Sequence, residues 1–242
     1  MQIVADLHTH TIASTHAYST LHEMVRGAKA KGLIAIGITD HGPDMKDAPD
    51  EWHFSNMDII PRKIEDVTVI RGIEFNICPG GALDKIEERY LAPIEFALAS
   101  FHEYCFPPST RAAHTEALEA VLQNSRVQAL GHPGNPKFSF DMEHIISQCN
   151  RYNKLVEINS NSFAIREGSK ENCTEIARLC KKYEVPIVVD SDSHIEYNVG
   201  KVDNALAMLE EIGFPEELVV NSSRARLEEY FRGRGLRIFD EK

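Results

Sequence analysis

Residues 4–19 read VADLHTHTIASTHAYS, a short apolar run followed at once by three histidines, His8, His10 and His16. Residues i and i+2 of an extended strand point to the same side, so His8 and His10 are placed to bind one metal ion together. An H-x-H pair alone is a weak indication of a metal site. The stretch therefore predicts a first strand that ends in candidate metal ligands, and the rest of the chain decides whether they belong to a site.

Further apolar runs, many of them β-branched, alternate with helical patterns along the whole chain. Several are apolar almost throughout, which is typical of parallel strands covered on both faces. About seven βα units in a chain of 242 residues favour a closed, barrel-like α/β fold. An open doubly wound sheet is the alternative, but the glycine-rich loop that usually follows its first strand is missing. The predicted strands cover 3–8, 33–41, 67–75, 96–102, 127–132, 155–159 and 186–190.

The helices between these runs carry recognisable start and stop signals. Thr20 and Glu23 form a capping box, and Gly32 stands where a helix commonly ends on glycine. Asp141 and Ser169 are predicted to cap two later helices. We expect one domain over residues 1–242, because no linker rich in Pro, Gly or Ser interrupts the alternation.

The overall composition excludes some classes of function. The formal net charge is −11, with 37 acidic against 26 basic residues, which argues against a nucleic-acid partner. A phosphorylated substrate stays compatible, because bound cations can reverse the local field. No apolar run is long enough to span a membrane, and no signal peptide is recognisable. The five cysteines form no C-x-x-C pair, which favours a reduced, cytoplasmic setting.

Histidines and carboxylates stand at the end of nearly every predicted strand. The carboxyl ends of parallel strands meet on one rim, where α/β enzymes carry their active sites. A single histidine in such a place is usually a hydrogen-bonded loop residue, but six on one rim are hard to explain without cations between them. Imidazole and carboxylate ligands without thiolate suit Zn²⁺, Mn²⁺ or Fe²⁺. The strand-end residues are Asp6, His8, His10, Asp40, His41, Glu74, His102, His132, Glu157, Asn159, Asp190, Asp192 and His194.

The series of strand-end motifs resembles one known family. DLHTH with His16, then TDH, GIE, GHP and DSDSH, looks like the motif series of the PHP (polymerase and histidinol phosphatase) superfamily. The longer strings HTIASTHAYSTL, ITDHGPDM, WHFSNM, RGIEFNI, HPGNPK and GSKENC resemble its YcdX-like branch of probable phosphatases. The resemblance runs in order from about residue 3 to 230. It implies a distorted (β/α)7 barrel, similar to a TIM barrel, with a trinuclear metal site.

The resemblance also implies a division of ligands among three divalent ions, with zinc favoured and manganese or iron as alternatives. The first ion would be held by His8, His10, Glu74 and Asp192. Glu74 would bridge to a second ion, completed by His102 and His132. The third would be held by His16, His41 and His194. All nine positions carry the residue type that the family requires.

The activity implied is that of a metal-dependent phosphatase, a phosphoric ester hydrolase in which a metal-bridging hydroxide attacks a small phosphorylated substrate. We expect Glu74 and Asp192 to take part in catalysis as ligands, and Asp40, like Asp6, to orient a ligating imidazole. A phosphodiesterase or nuclease of the polymerase-associated type is the alternative, and a non-catalytic metal-binding module is a third. No membrane partner is expected, and a homo-oligomer is left open.

Some basic residues and histidines lie outside the nine. Lys137 and Arg111 could contact substrate phosphate, although solvated surface is the ordinary state of isolated basic residues. Three histidines, His22, His114 and His144, fall within helical patterns and are expected to be solvated. None of these three is expected to bind metal.

Overall fold

Eight strands form one sheet in the computed structural model, which describes residues 1–240. They are β1 (Ala5–Asp6), β2 (Ala35–Ile38), β3 (Lys63–Ile64), β4 (Val67–Asn76), β5 (Phe96–Ser100), β6 (Ala129–Leu130), β7 (Leu155–Asn159) and β8 (Ile187–Asp190). Seven run parallel in the order β1-β2-β4-β5-β6-β7-β8, and β3 pairs antiparallel with the start of β4. This nearly closed barrel confirms the α/β barrel that the sequence predicted, with β3 as an addition.

The gap between the last and first strands is closed partly by a side chain. The Asn221 amide Nδ2 donates to the carbonyl oxygens of Ala5 and Val189, both at 2.8 Å, and its Oδ1 accepts from Val189 N at 3.1 Å. At the carboxyl end, His10 N donates to Ser193 O at 2.8 Å. Asn221 thus supplies hydrogen bonds that strand pairing would otherwise make, and the backbone contact keeps the ends of β1 and β8 adjacent.

Eight α-helices connect and cover the strands within residues 1–240. They are α1 (Leu21–Ala30), α2 (Glu51–Ser55), α3 (Arg111–Gln123), α4 (Met142–Ile146), α5 (Ser162–Ile165), α6 (Ser169–Tyr183), α7 (Asp203–Glu211) and α8 (Arg224–Gly233). None is long and apolar enough to cross a membrane.

The helix signals were mostly confirmed. The capping box of Thr20 and Glu23 is formed, Asp141 accepts from His144 N, and Gly32 follows α1 with φ of 72°. The prediction that Ser169 caps a helix is wrong. Gly168 takes that position with φ of 84°, a value that glycine adopts without strain, and Ser169 is the first residue of α6.

Apolar side chains are arranged in two layers around the strands. One layer lies between the strands and the helices. The other fills the barrel interior, where Phe231 of α8 contacts Phe96 and Phe239, each with ring centroids 6.3 Å apart. This packing fills the interior of the barrel, as in other barrels whose centre is a core rather than a pore. The polar strand ends lie at the opposite, carboxyl end.

A buried lysine stabilises the amino-terminal end of the strands. Lys154 directly precedes β7 and is 2% exposed, and its Nζ donates to Asn124 O and Val127 O, both at 2.6 Å. Burial lowers the pKa of Lys154 to about 8. Because its partners are backbone carbonyls of the loop before β6, we assign Lys154 a structural role.

Candidate metal centre

Glu74 is a fully buried carboxylate in β4, at the carboxyl end of the barrel. Its Oε1 lies 3.0 Å from His132 Nε2 and 3.3 Å from His8 Nε2. Its Oε2 lies 2.8 Å from His41 Nδ1. Five imidazoles in all have a nitrogen within 3.5 Å of this carboxylate: His8, His10, His41, His102 and His132.

The second carboxylate of the proposed set joins the first and last strands. Asp192 follows β8, and its Oδ1 lies 3.2 Å from His10 Nε2 and 3.6 Å from His8 Nε2. The two histidines of the H-x-H pair face each other, with 3.1 Å between their Nε2 atoms. The extended H-x-H stretch therefore does direct both rings to one point, together with Glu74 and Asp192.

A third group of rings lies nearer the surface. His16 Nε2 is 2.8 Å from His194 Nε2 and 3.3 Å from His41 Nε2. The His10 ring stacks between those of His41 and His194, with centroids 4.3 Å from each. The structure therefore brings all nine sequence-predicted ligands into one continuous cluster.

Three sets within the cluster have ligand atoms that all lie within 4.8 Å of one another. The set of His8, His10 and Glu74 falls within the ligands expected for the first ion. The other two sets differ from the expected division, because they join His10 to His41 and His194, and His41 to Glu74 and His102. His10 and His41 thus lie between neighbouring groups of ligands, which shows how compact the cluster is.

The outward nitrogens of several rings are held by acceptors that the sequence reasoning did not assign this role. His8 Nδ1 lies 2.6 Å from Glu157 Oε1, His102 Nδ1 lies 2.7 Å from Asn76 Oδ1, and His16 Nδ1 lies 2.6 Å from Asp47 Oδ2. An acceptor at one ring nitrogen fixes the proton there and leaves the other nitrogen as a ligand. Glu157 and Asn76 could have been suspected from their places at strand ends; Asp47, in a loop, carried no signal.

The prediction that Asp40 and Asp6 orient ligating imidazoles is wrong. Asp40 accepts from the Thr11 backbone N and hydroxyl and from the Ser14 hydroxyl, all at 2.8 Å. The imidazole nearest to it belongs to His53 in α2, whose Nε2 lies 3.4 Å from Asp40 Oδ2.

Asp6 accepts from the Ser191 hydroxyl and from the backbone N of Ser191 and Gly200. Asp40 and Asp6 therefore both accept hydrogen bonds from loop groups that lie next to the proposed ligands. They hold the backbone of the ligand-bearing segments instead of contacting the rings.

The surroundings lower the pKa of some imidazoles in the cluster and raise that of others. Burial, reinforced by the His41 and His194 imidazoles, holds the pKa of His10 well below its usual value. Burial likewise lowers the pKa of His102 to about 4. Burial opposes protonation of His8 too, but the carboxylates of Glu157, Glu74 and Asp192 outweigh it and raise its pKa. His10 and His102 therefore offer neutral nitrogens, the form that binds metal, beside carboxylates that attract positive charge.

Several buried polar atoms of this cluster have no hydrogen-bond partner, which tests whether a metal would fit. His10 Nδ1, His41 Nδ1 and Glu74 Oε2 are of this kind; the close His41–Glu74 pair lacks hydrogen-bond geometry. Unsatisfied buried polar atoms are costly and call for an explanation. The facing Nε2 atoms are also spaced much like two ligands on one ion, about 3.0–3.4 Å for bonds of about 2.1 Å. The donor set and its spacing therefore fit divalent cations.

Two proposed ligands also have strained backbones. His132 and Asp192 have φ values of 27° and 53°, in the left-handed region that few residues other than glycine adopt. Such conformations cost free energy and cluster at functional sites. Here the strained backbone accompanies side chains that lie within the ligand cluster.

A cavity of about 340 Å³ opens above the cluster. Arg166, 19% exposed, lies on its wall, with a guanidinium nitrogen 3.9 Å from Asp192 Oδ2. Lys137 and Arg111 behave as solvated surface residues instead: they are about 60% exposed and pair with Glu103 and Asp141. Arg166, which the sequence reasoning missed, is therefore the basic residue placed to meet a substrate anion. The cavity is lined by His16, His41, Met45, His102, His132, Asn161, Ile165, Arg166, Ser191, Asp192, His194 and Asn198.

The expectation that His114 is solvated is wrong. It is fully buried, Nε2 accepts from Ser109 N at 3.0 Å, and Nδ1 lies 2.9 Å from Ser139 O. Its ring packs among three phenylalanines, Phe101, Phe106 and Phe138. The helical pattern did not reveal this, because the groups that meet His114 come from the loop residues Ser109 and Ser139. His22 and His144 are exposed, as expected.

The chain matches a family model, and it is similar to relatives over nearly their whole length. A family model for the PHP domain matches residues 6–212. A protein of Acetivibrio thermocellus named probable phosphatase is 48% identical over 98% of this chain and 99% of its own length. Another of that name, from Shewanella frigidimarina, is 44% identical over 100% of this chain and 98% of its own length.

Among solved structures, the fold resembles a histidinol phosphate phosphatase from Lactococcus lactis, crystallised with Zn, L-histidinol and phosphate. The TM-score is 0.65 with 18% sequence identity, over 89% of this chain and 95% of that one. At this identity the likeness concerns the fold.

Two histidines provide the sharpest separation of ligand from structural residue. His132→Ala should lose or weaken one bound metal ion, because it removes a nitrogen 3.0 Å from the shared carboxylate. His114→Ala should keep its metal but lower the free energy of unfolding by about 2–3 kcal/mol, since it empties a buried site and leaves two polar groups unpaired. Elemental analysis and urea unfolding measure the two effects. His144→Ala is the exposed control and should change neither; metal loss in His114→Ala would contradict this division.

Proposed function

Because the chain belongs to the PHP domain family, we propose that it is a metal-dependent phosphatase that hydrolyses small phosphoric monoesters. The broad activity is the one named for relatives 44–48% identical over nearly their whole length. The working unit is proposed to be one domain over residues 1–242, of which the last two lie outside the described residues.

The observation that carries the proposal is the buried carboxylate of Glu74, which faces five imidazoles beneath a cavity with an arginine on its wall. Neutral nitrogens and carboxylates concentrated in this way provide ligands for several cations. The arginine adds a second positive group for an anionic substrate. Together they form a pocket suited to a phosphoryl group with its negative charges.

The nine residues are proposed to hold three divalent ions, divided as the family resemblance implies. Imidazole and carboxylate ligands favour zinc, with manganese and iron as alternatives, and the fold neighbour from Lactococcus lactis was crystallised with Zn. When bound, such ions supply Lewis acidity that makes water nucleophilic near neutral pH and neutralises phosphoryl oxygens. Catalytic roles are proposed for Glu74 and Asp192 as shared ligands. Asp40 is proposed to hold the 11–14 segment between two ligand histidines.

The protein's own groups position the reactants around that centre. Glu157, Asn76 and Asp47 fix the rings of His8, His102 and His16. Held rings keep the ligand geometry from relaxing when charge develops in the transition state.

Arg166 would orient the phosphate. Its guanidinium is held by Ser162 Oγ and lies beside Asp192. A planar guanidinium can donate two parallel hydrogen bonds to phosphate oxygens, which fixes the substrate as well as attracting it.

Chelation and one substitution test whether metal chemistry is responsible. Removing divalent ions should abolish hydrolysis of p-nitrophenyl phosphate, and Zn²⁺ or Mn²⁺ should restore it. Glu74→Gln should lower kcat at least about 100-fold, because it removes the negative charge shared by five imidazoles. Steady-state kinetics with metal added back measures both effects.

Two controls accompany this test. Glu175→Gln, on the exposed face of α6, removes the same charge from a residue outside the ligand cluster and the cavity lining, and should leave kcat unchanged. A preference for bis-p-nitrophenyl phosphate over p-nitrophenyl phosphate would favour the phosphodiesterase alternative. Activity that survives both chelation and Glu74→Gln would place the chemistry elsewhere.

Arg166 gives a separate test of substrate binding. Arg166→Met keeps most of the apolar stem but removes the charge, so KM for p-nitrophenyl phosphate should rise about 10–100-fold, the value of a charged hydrogen bond. Metal content should stay at the wild-type level. Arg178→Met, 62% exposed on α6, is the matched control. An unchanged KM in Arg166→Met would show that phosphate is bound without this residue.

A further inference from the structure

Asp84 is a buried carboxylate behind the metal centre, in the irregular segment between β4 and β5. Its side chain accepts hydrogen bonds from Asn76 and Asp44, and neither of these is among the nine proposed ligands. We propose that Asp84 is a positioning residue of the metal centre, acting through Asn76 on His102 and through the 42–47 loop on His16. This role rests on the proposed function, since it requires that His102 and His16 hold ions.

Both oxygens of Asp84 are occupied by donors. Oδ1 accepts from Asn76 Nδ2 at 2.7 Å and from Asp44 N at 2.8 Å, and Oδ2 accepts from Asn76 N at 2.5 Å. Three donors converging on two oxygens require a group that only accepts. A carboxylate meets that requirement, whereas an amide would set its own NH₂ against one of these donors.

The first route runs to His102. Asn76 Nδ2 also donates to Gly42 O at 2.9 Å, so its NH₂ faces two acceptors, Asp84 and Gly42. The amide is thereby fixed with Oδ1 toward His102 Nδ1, at 2.7 Å. The ring proton of His102 is held at Nδ1, and Nε2, which lies 3.5 Å from Glu74 Oε1, is left as the ligand atom.

The second route runs through the 42–47 loop. Gly42 N donates to Glu74 O at 2.8 Å, and a Cβ at Gly42 would lie 2.3 Å from the Asp84 carboxylate, so the loop lies directly against Asp84. Asp84 binds the loop at Asp44 N, and three residues later Asp47 meets His16 Nδ1. One buried carboxylate therefore fixes the supports of two ligands that lie on different parts of the rim.

The placement of this carboxylate is costly to the fold. Burial raises the pKa of Asp84 to about 6, even though Asn76 and Asp44 donate hydrogen bonds to it. Perturbed acids of this kind are common beside functional sites. The cost of burying Asp84 supports a positioning role, because its hydrogen bonds to Asn76 and Asp44 connect it to the proposed ligands His102 and His16.

Asp84→Asn tests the role in the metal-loaded enzyme. We expect the apparent affinity for Zn²⁺ to fall about 10–100-fold, the usual effect of losing a support behind a ligand. Dialysis against a weak chelator followed by elemental analysis measures the retained ions. Excess Zn²⁺ should restore kcat to within about twofold of wild type without changing KM for p-nitrophenyl phosphate, since the ligands themselves are intact.

Asn76→Ala and the double variant add a coupling measurement. Asp84 is proposed to act on His102 through Asn76, so each substitution should remove part of the same effect. The double variant should therefore lose less metal affinity than the sum of the losses in the two single variants. Lys154→Met controls for destabilisation, because it unpairs two carbonyls at the opposite end of the barrel. It should lower stability while leaving metal affinity unchanged.

Unchanged metal affinity in a folded Asp84→Asn protein would overturn the role, and so would lost activity that excess Zn²⁺ does not restore. If Asp84→Asn does not fold, Asp84→Ser, which keeps one acceptor oxygen, is used in its place. Failure of both to fold while Lys154→Met folds would also overturn it, because Asp84 would then be a purely structural residue. If the wild-type protein hydrolyses no phosphate ester, the proposed function is contradicted. If Asp84→Asn still weakens metal binding in that case, the positioning role stands.

Discussion

The buried carboxylate of Glu74 is the constraint on which the carboxyl end of this barrel depends. A fully buried charge is costly unless it is compensated, and here it faces five imidazoles. The imidazoles cannot all compensate it by taking up protons, because burial and mutual repulsion hold the pKa of His10 and His102 low. Divalent cations would resolve this conflict, since one ion can balance a carboxylate while also binding neutral nitrogens.

The barrel supplies the positions that this electrostatic arrangement needs. Each strand contributes few residues, and closure of the ring brings distant parts of the chain together, such as His10 beside Ser193. Asn221 completes the ring where strand pairing fails. Apolar side chains, including Phe231 of α8, fill the barrel interior. The polar groups lie at the carboxyl end of the strands. The supports Glu157, Asn76 and Asp47 then select which nitrogen of each ring faces the centre.

Much of the fold and the identity of the clustered residues could be predicted from the sequence, because both follow from patterns with a fixed period. Seven apolar runs gave the seven parallel strands, and the residues at their ends converge whatever the loops do. The failures concern side chains whose partners come from elsewhere in the chain. Asp40 and Asp6 bind loop donors, His114 contacts loop residues, and Arg166 reaches the cavity from just beyond the end of α5. No local pattern reveals which loop will cover a helix face or which acceptor will meet a ring.

One continuous ligand cluster at the strand ends is proposed to hold several ions at once. Elemental analysis of active protein, purified without chelator and saturated with Zn²⁺ or Mn²⁺, tests this most directly. Nine nitrogen and oxygen ligands, with Glu74 shared, predict about three ions per chain. Fully active protein with at most one ion per chain would contradict the claim.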